Sequence, residues 1–222
     1  MGLMLPRIKV MIGILVAALA GLLLLILVAN ILVTSTTEKY LYSDISTTPY
    51  NKVGLLLGTS KYSRTGGIND HYRLRLQAAY ALFKAKRIDY ILISGDNSTP
   101  YYDEPTTIRH DLLKMGVPAK NIYRDYAGFR TLDSIIRAKS VFGLNKFTII
   151  SQGYLNNRAL YIAFNHHIDA IAFNAGSGAN SDTVNWIREI LARVLALFEL
   201  HLLDTEPRYL GSKIHIGEAP PT

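Results

Sequence analysis

The 222-residue chain contains no cysteine. That absence excludes disulfide staples, thiolate nucleophiles, zinc fingers, iron-sulfur clusters and dithiol redox chemistry, and it leaves the compartment open, because a chain without thiols suits either redox environment. Histidine is sparse as well. The six, His71, His110, His166, His167, His201 and His215, show no zinc-ligand spacing with acids, so no metal site is expected, and the adjacent pair His166-His167 fits a helix-dipole partner better. Charged residues make up only 18% of the chain against 49% hydrophobic residues, which excludes a disordered or fibrous chain. The length allows one domain with a real core and is too short for two large ones.

A mean hydropathy of +0.15 is high for a soluble chain, and the excess is concentrated. From Val10 to Ala29 there is no charged or strongly polar side chain, and Ile31, Leu32 and Val33 continue the run. About 20 apolar residues in a helix span the roughly 30 Å hydrocarbon core of a bilayer, so residues 10-33 are expected to form a transmembrane helix. A cleaved signal peptide is the weaker alternative: cleavage after Ala18-Leu19-Ala20 would leave Leu22 to Val28 exposed at a new terminus. Arg7 and Lys9 precede the run, whereas Lys39 alone follows closely, offset by Glu38 and Asp44. By the positive-inside rule residues 1-9 stay in the cytoplasm and the rest lies outside, in a bacterium the periplasm. Residues 34-50 read as a stalk, 51-203 as the folded domain, and 204-222, with Pro207, Gly211, Pro220 and Pro221, as an extended tail.

Without Arg7 and Lys9 the exported part carries a net charge of about +5, dispersed rather than gathered in a basic stripe. Nucleic acid is therefore not an expected partner. Thirteen of the 24 basic residues are Arg, the side chain suited to forked recognition of carboxylate or phosphate, which favours an anionic ligand.

Short apolar runs alternate with helical patterns along the domain. Lys52-Leu57, Ile88-Ile93, Asn121-Tyr123, Phe147-Ile150 and Ile168-Phe173 read as strands, and about His71-Lys86, Pro105-Met115, Leu132-Phe142 and Asn157-His166 as helices. Strands apolar on both faces, alternating with helices, predict a parallel three-layer α/β sheet with right-handed crossovers. A last helix, Asp182 to Leu203, is interrupted by Arg188, Glu189, Arg193, Glu199 and His201. It is not expected to cross the membrane, but to pack on the sheet or lie against the bilayer.

In such sheets ligands bind beyond the carboxyl ends of the strands. Those ends carry Gly58-Thr59-Ser60, Ser94-Gly95-Asp96-Asn97, Asp125 and Ser151-Gln152. All are small, polar or acidic, and although such residues also make ordinary turns, their recurrence at four ends marks Gly58, Thr59, Ser94, Gly95, Asp96, Ser151 and Gln152 as candidate ligand contacts. Glu104, opening a helix just after the second loop, is the candidate base, with Asp125 as a second catalytic carboxylate. Arg130 is a candidate anion clamp, beside the hydroxyls of Thr131 and Ser134. Arg137 and Arg158 lie farther along helices, where a solvated face is expected. A Ser-His-Asp set can be assembled from Ser94, His110 and Asp125, as could many others. No phosphate loop, dinucleotide fingerprint or nucleophile elbow is present, and no motif names a cofactor.

The segments VGLLLGTSKYSRTGGIN (53-69), YILISGDN (90-97), DEPTTIRHDLLKMGVP (103-118), DYAGFRTLDSIIRAKSVF (125-142), IISQ (149-152), RALYIA (158-163) and EPRYLG (206-211) resemble the bacterial envelope family that includes SanA, ElyC and YdcF. The resemblance covers nearly all of the exported domain and implies a Rossmann-like α/β domain behind a single N-terminal membrane helix. It also implies a part in the envelope permeability barrier, in resistance to antibiotics such as vancomycin, and in peptidoglycan or envelope-polymer metabolism. The family's recurring positions map onto Gly58, Ser94, Gly95, Glu104, Thr131, Ser134, Ser151 and Arg158. In two places this chain departs: Asp96 stands where a second glycine often follows Ser-Gly, and where relatives carry an aromatic-His pair after the Ser-Gln turn, it has Tyr154-Leu155. Leucine neither titrates nor binds a metal. Two expectations stand side by side: a cleft for an anionic or polyhydroxylated envelope metabolite, with or without turnover, and a non-catalytic scaffold that docks onto an envelope-synthesis protein.

Overall fold

The computed structural model describes the chain except residues 1-3, 64-65, 100-101, 177-181, 204, 219-220 and 222. Six parallel strands form one sheet in the order β1-β6-β5-β2-β3-β4, where β1 is Leu41–Tyr42, β2 Val53–Leu57, β3 Tyr90–Ser94, β4 Ile122–Asp125, β5 Lys146–Ser151 and β6 Asp169–Asn174. Chain order runs outward from β2 through β3 to β4 and then restarts on the other side with β5. The switch point therefore lies between β2 and β5, the place where open α/β sheets form their clefts.

Alternation along the central strands sends side chains to two cores. Val53, Leu55 and Leu57 join Leu92, Phe147 and Ile149 beneath α4 (Thr131–Ser140) and α5 (Gly153–Asn165). Leu56, Ile91, Ile93 and Ile150 face the other way, beneath α2 (Asp70–Lys84) and α3 (Glu104–Lys114). The expected three-layer α/β sheet is thus present, with strands apolar on both faces because both faces are covered.

Local chemistry sets the helix ends. Asn69 accepts the His71 amide to start α2, and Asp103 accepts the Thr106 amide to start α3 just ahead of Pro105. Gly116, at φ +94°, takes the left-handed turn that ends α3 before Val117-Pro118.

The N-terminal helix α1, Met4–Thr37, contains the expected apolar run and continues past its end at Val33. Its last turns do not stand away from the domain: Ala29, Val33 and Thr37, four residues apart, are buried, and Thr37 Oγ1 lies 2.8 Å from Asn157 Oδ1 on α5. Residues 34-50 comprise the end of this helix, a 3-10 turn at Glu38–Tyr40 and the edge strand β1, which pairs with β6. The final helix α6, Asp182–His201, packs on α5 and on the end of α1. Beyond it the chain has no regular element among its described residues but is strapped to the α4 side, with the Ile214 amide on Val141 O and the Gly217 amide on Tyr123 Oη.

Candidate functional site

Strand register brings the polar ends together. Leu57 lies beside Ser94 and Ser94 beside Asp125 in the ladder, so the loops leaving β2, β3 and β4 meet above one edge of the sheet. They line a polar cleft of about 340 Å³, with Gly58, Thr59, Ser94, Asp96, Glu104, Arg130, Thr131 and Ser134 from the sequence expectations. Gly58 and Gly128 are needed for its closeness. A Cβ at Gly128 would clash with Ser94 Oγ and stand 2.9 Å from the Gly95 amide nitrogen, and one at Gly58 would clash with Glu104 Oε2 and stand 2.7 Å from Gly95 Cα.

Asp125 lies outside the cleft lining, buried behind Ser94. One carboxylate oxygen accepts from Ser94 Oγ at 2.7 Å, while the other is held by Arg137 Nη2 at 2.7 Å and Nε at 2.9 Å. Ser94 Oγ is also 2.9 Å from Ser134 Oγ. Asp125 is thereby committed to an ion pair and orients the Ser94 hydroxyl. Arg137, expected on a solvated face, is buried instead, because it is the counter-charge for a carboxylate the sheet encloses; it also donates to the Tyr209 carbonyl of the tail. His110 does not complete a triad: it is exposed on α3, 3.6 Å from Asp111.

Glu104 stands at the mouth. Its Oε2 accepts the Asp96 amide at 3.1 Å and its Oε1 accepts Tyr102 Oη at 2.5 Å. Burial, with this carboxylate as neighbour, pushes the Tyr102 phenol well above its usual range, so it remains a donor at neutral pH. Arg130 is not poised as a lone clamp. Its guanidinium meets Asp133 at 2.9 and 3.1 Å and Glu199 of α6 at 2.8 Å, and Asp133 Oδ2 also accepts the Arg130 amide at the start of α4. Arg130 therefore joins the β4-α4 loop to α6 while lining the cleft.

Two guanidinium groups unforeseen as ligand contacts supply the cationic character. Arg75, on α2, is 5% exposed and lines the cleft, donating through Nη1 to the Leu57 and Gly58 carbonyls at 2.9 and 2.7 Å and through Nε to Gln152 Oε1 at 2.7 Å. Burial lowers its pKa to about 10, which leaves it charged at neutral pH. A signal existed: Tyr72, Arg75, Leu76, Ala79 and Leu82 follow helical spacing, so an arginine occupied the core stripe. Arg188, exposed on α6, lines the opposite wall; nothing in its local sequence marks it, since it arrives from a distant helix.

Gln152 is a support for Arg75 and does not line the cleft, and Ser151 is buried under the loop. Arg158 also lies outside the lining. Its fork is spent on Glu189 of α6, at 2.6 and 3.1 Å, so it too is partnered rather than solvated. Leu155, where the resemblance implies a histidine, does line the cleft from the first turn of α5 and presents an apolar surface there. Among the described residues no three His, Asp or Glu side chains converge as a metal site.

A second lobe of about 240 Å³ adjoins the first, sharing Thr59, Ser60, Tyr102 and Glu104 and adding Tyr62 and Tyr72. The whole site pairs a cationic lobe with a tyrosine-rich one. Tyrosine offers a flat apolar face with a polar tip, suited to sugar rings as well as to other amphipathic groups.

No family model and no solved structure matches the chain. A curated relative does: the Protein SanA homolog of Haemophilus influenzae is 41% identical over 206 residues, an alignment covering 93% of this chain and 84% of that protein. Identity of that degree over 93% of its length shows that the chain belongs to the SanA family.

Proposed function

We propose that the protein is anchored in the bacterial inner membrane by residues 10-33, holds its domain in the periplasm, and binds an anionic, polyhydroxylated envelope metabolite in the cleft above β2, β3 and β4. The observation that carries the reading is the pairing of Arg75 and Arg188 with Ser94, Thr131 and Ser134 around one open cleft at the strand ends. Guanidinium forks suit phosphate or carboxylate, and the hydroxyls and the neighbouring tyrosine lobe suit a sugar. The Arg7 and Lys9 flank supports the orientation, and membership of the SanA family supports a contribution to the envelope permeability barrier and antibiotic exclusion through peptidoglycan or another envelope polymer. Glu104, aimed at the mouth, is the group able to accept a proton or a ligand hydroxyl.

The domain division follows this reading: anchor 10-33, connector 34-50, α/β domain 51-203 and tail 204-222. A second reading, a non-catalytic scaffold for an envelope-synthesis protein, is favoured by Leu155, which removes the titratable group of the family pattern from the cleft.

Thermal-shift measurements on the detergent-solubilised protein separate the two. Nucleotides, sugar nucleotides, lipid-linked precursors and muropeptides are screened, and stabilisation by one class that is lost in Arg188→Ala and Glu104→Ala supports the cleft ligand. If none shifts the melting point, and both variants restore the envelope barrier of a deletion strain, the scaffold reading replaces it. A phosphatase that works only in the periplasm, fused after Thr222, must be active for the orientation to hold.

A further inference from the structure

The helix α6 carries more apolar surface than the domain uses. Glu189, Arg193 and Ala196 are buried towards the domain, while Val184, Ile187, Leu191, Leu195, Phe198 and Leu202 are exposed, from 38% to 75%. These six recur at intervals of three and four residues and so form a single stripe along the helix. No described part of the chain covers it.

Its position relative to α1 identifies what does. Val10 to Val28 gives about 28 Å of helix at the standard rise, enough for the hydrocarbon core, which sets Asn30 at the level of the lipid headgroups. There α1 and α6 are joined: Asn30 Nδ2 donates to the Ile190 carbonyl at 3.2 Å, and Arg193 Nη1 donates to Asn30 Oδ1 at 3.2 Å. From that junction α6 runs back along the anchor, with Val194, Leu197 and Phe198 forming an apolar groove with Leu25 and Ala29. The second half of α6 therefore lies beside the part of α1 that an anchored protein keeps in lipid, and its exposed stripe is continuous with the exposed apolar surface of Leu22 to Leu25. Trp186, the chain's one tryptophan, is half exposed about one turn before the junction, the depth at which membrane proteins place their aromatic belt.

We infer that α6 is a membrane-seated helix: its Val184–Leu202 stripe is covered by the outer leaflet beside α1, as a second, non-spanning attachment of the domain. The inference rests on the anchor reading of α1. It makes one wall of the cleft, at Arg188, part of an element held at the bilayer surface, with Arg130 and Glu199 linking the opposite wall to the same helix.

The full-length protein in phosphatidylcholine vesicles tests this through its own tryptophan and through two variants that move it, Trp186→Phe with Phe198→Trp and Trp186→Phe with Leu202→Trp. Emission is compared in ordinary vesicles and in vesicles of brominated phosphatidylcholine, which quenches on contact. The expected result is loss of emission for the tryptophans at 198 and 202, greater than for Trp186, in variants whose melting points match the parent. If the protein resists alkaline extraction yet neither moved tryptophan is quenched, α6 stands off the bilayer or is covered by a second copy or another protein, and the inference falls while the anchor stands. Release of the protein by alkali removes the anchor reading and this inference together.

Discussion

Arg75 and Gln152 meet across the topological switch point, Nε to Oε1 at 2.7 Å, joining α2 to the loop after β5. Gln152 in turn donates to the His71 carbonyl, so the contact closes on α2 from both sides. Removing the amide leaves a buried guanidinium donor unpaired, which costs about 1–3 kcal/mol. Gln152→Ala is expected to lower the melting temperature by that equivalent, and Arg75→Lys to lose the response to an anionic ligand, because an ammonium cannot hold the Leu57 and Gly58 carbonyls and Gln152 in one plane. Differential scanning fluorimetry with and without the ligand reads both.

The glycines of the cleft give a sharper steric expectation. At Gly58 and Gly128 a methyl group would overlap Glu104 Oε2 and Ser94 Oγ respectively. Overpacking of this kind costs about 1–3 kcal/mol. Gly128→Ala is expected to be the worse of the two, since Ser94 and the Gly95 backbone are fixed, whereas the Glu104 side chain can swing outward. A ligand that still binds Gly128→Ala with parental affinity would place the site elsewhere.

The buried pair beneath Ser94 separates support from chemistry. Asp125→Ala leaves Arg137 without its counter-charge in a nearly dry place, a loss of about 3–5 kcal/mol, measurable as a lowered urea midpoint. Ser94→Ala removes one hydroxyl and is expected to cost about 0.5–1.5 kcal/mol. If Ser94 contacts the ligand, its variant folds but binds weakly; if it only fills the floor, binding is unchanged.

How far these relationships could be read from the sequence depends on their distance along the chain. The central strands β2, β3, β5 and β6 announced themselves because both faces are covered and their cores are apolar runs, and the cleft loops because small and polar residues recur at the carboxyl ends. Strand β1 is only Leu41–Tyr42, too short for any periodicity, and its partner lies far ahead in β6. Arg137 and Arg158 were visible as arginines, but their partners Asp125 and Glu189 sit on other elements, and an unpaired charge read locally defaults to solvent; Arg130, expected as an anion clamp, is tied to Glu199 of a distant helix that its local sequence does not show. Arg75 was legible in principle through its place in an apolar stripe. Arg188 was not.

Alkaline pH should weaken the fold through Tyr72. Burial, and its hydrogen bond to Asp111 at 2.8 Å, raise its pKa above the ordinary value of 10.0. Below pH 10 both folded and unfolded chains keep the proton and the full stability is present; above it the unfolded chain ionises while the folded one does not, so stability falls as pH rises. Tyr102 adds the same sign. Tyr72→Phe is expected to flatten the decline between about pH 10 and 12 and to leave the part due to Tyr102, in melts recorded across that range.

Glu189 is the hinge of the contact that α6 makes with α5 and α1. Nearly fully buried, it accepts both forks of Arg158 from α5, while Arg193, one turn on, reaches Tyr154 O and Asn30 of α1. Glu189→Gln strands a partly buried positive charge and is expected to destabilise by up to about 3 kcal/mol, with the loss concentrated where α5, α6 and α1 meet. Hydrogen exchange in detergent should therefore rise across α6 and the end of α1 and stay at parental levels in β2, β3 and β4. Equal exchange in α6 of parent and variant would mean that Arg158 is held by something other than this pair. The double variant Arg158→Met with Glu189→Leu removes the pair together and is expected to recover part of the stability lost in Glu189→Gln, the remainder being the loss to buried Arg193 of its neighbouring carboxylate. Retention of ligand-dependent stabilisation in that variant would show that Arg158 supports the α5-α6 contact and takes no part in the cleft.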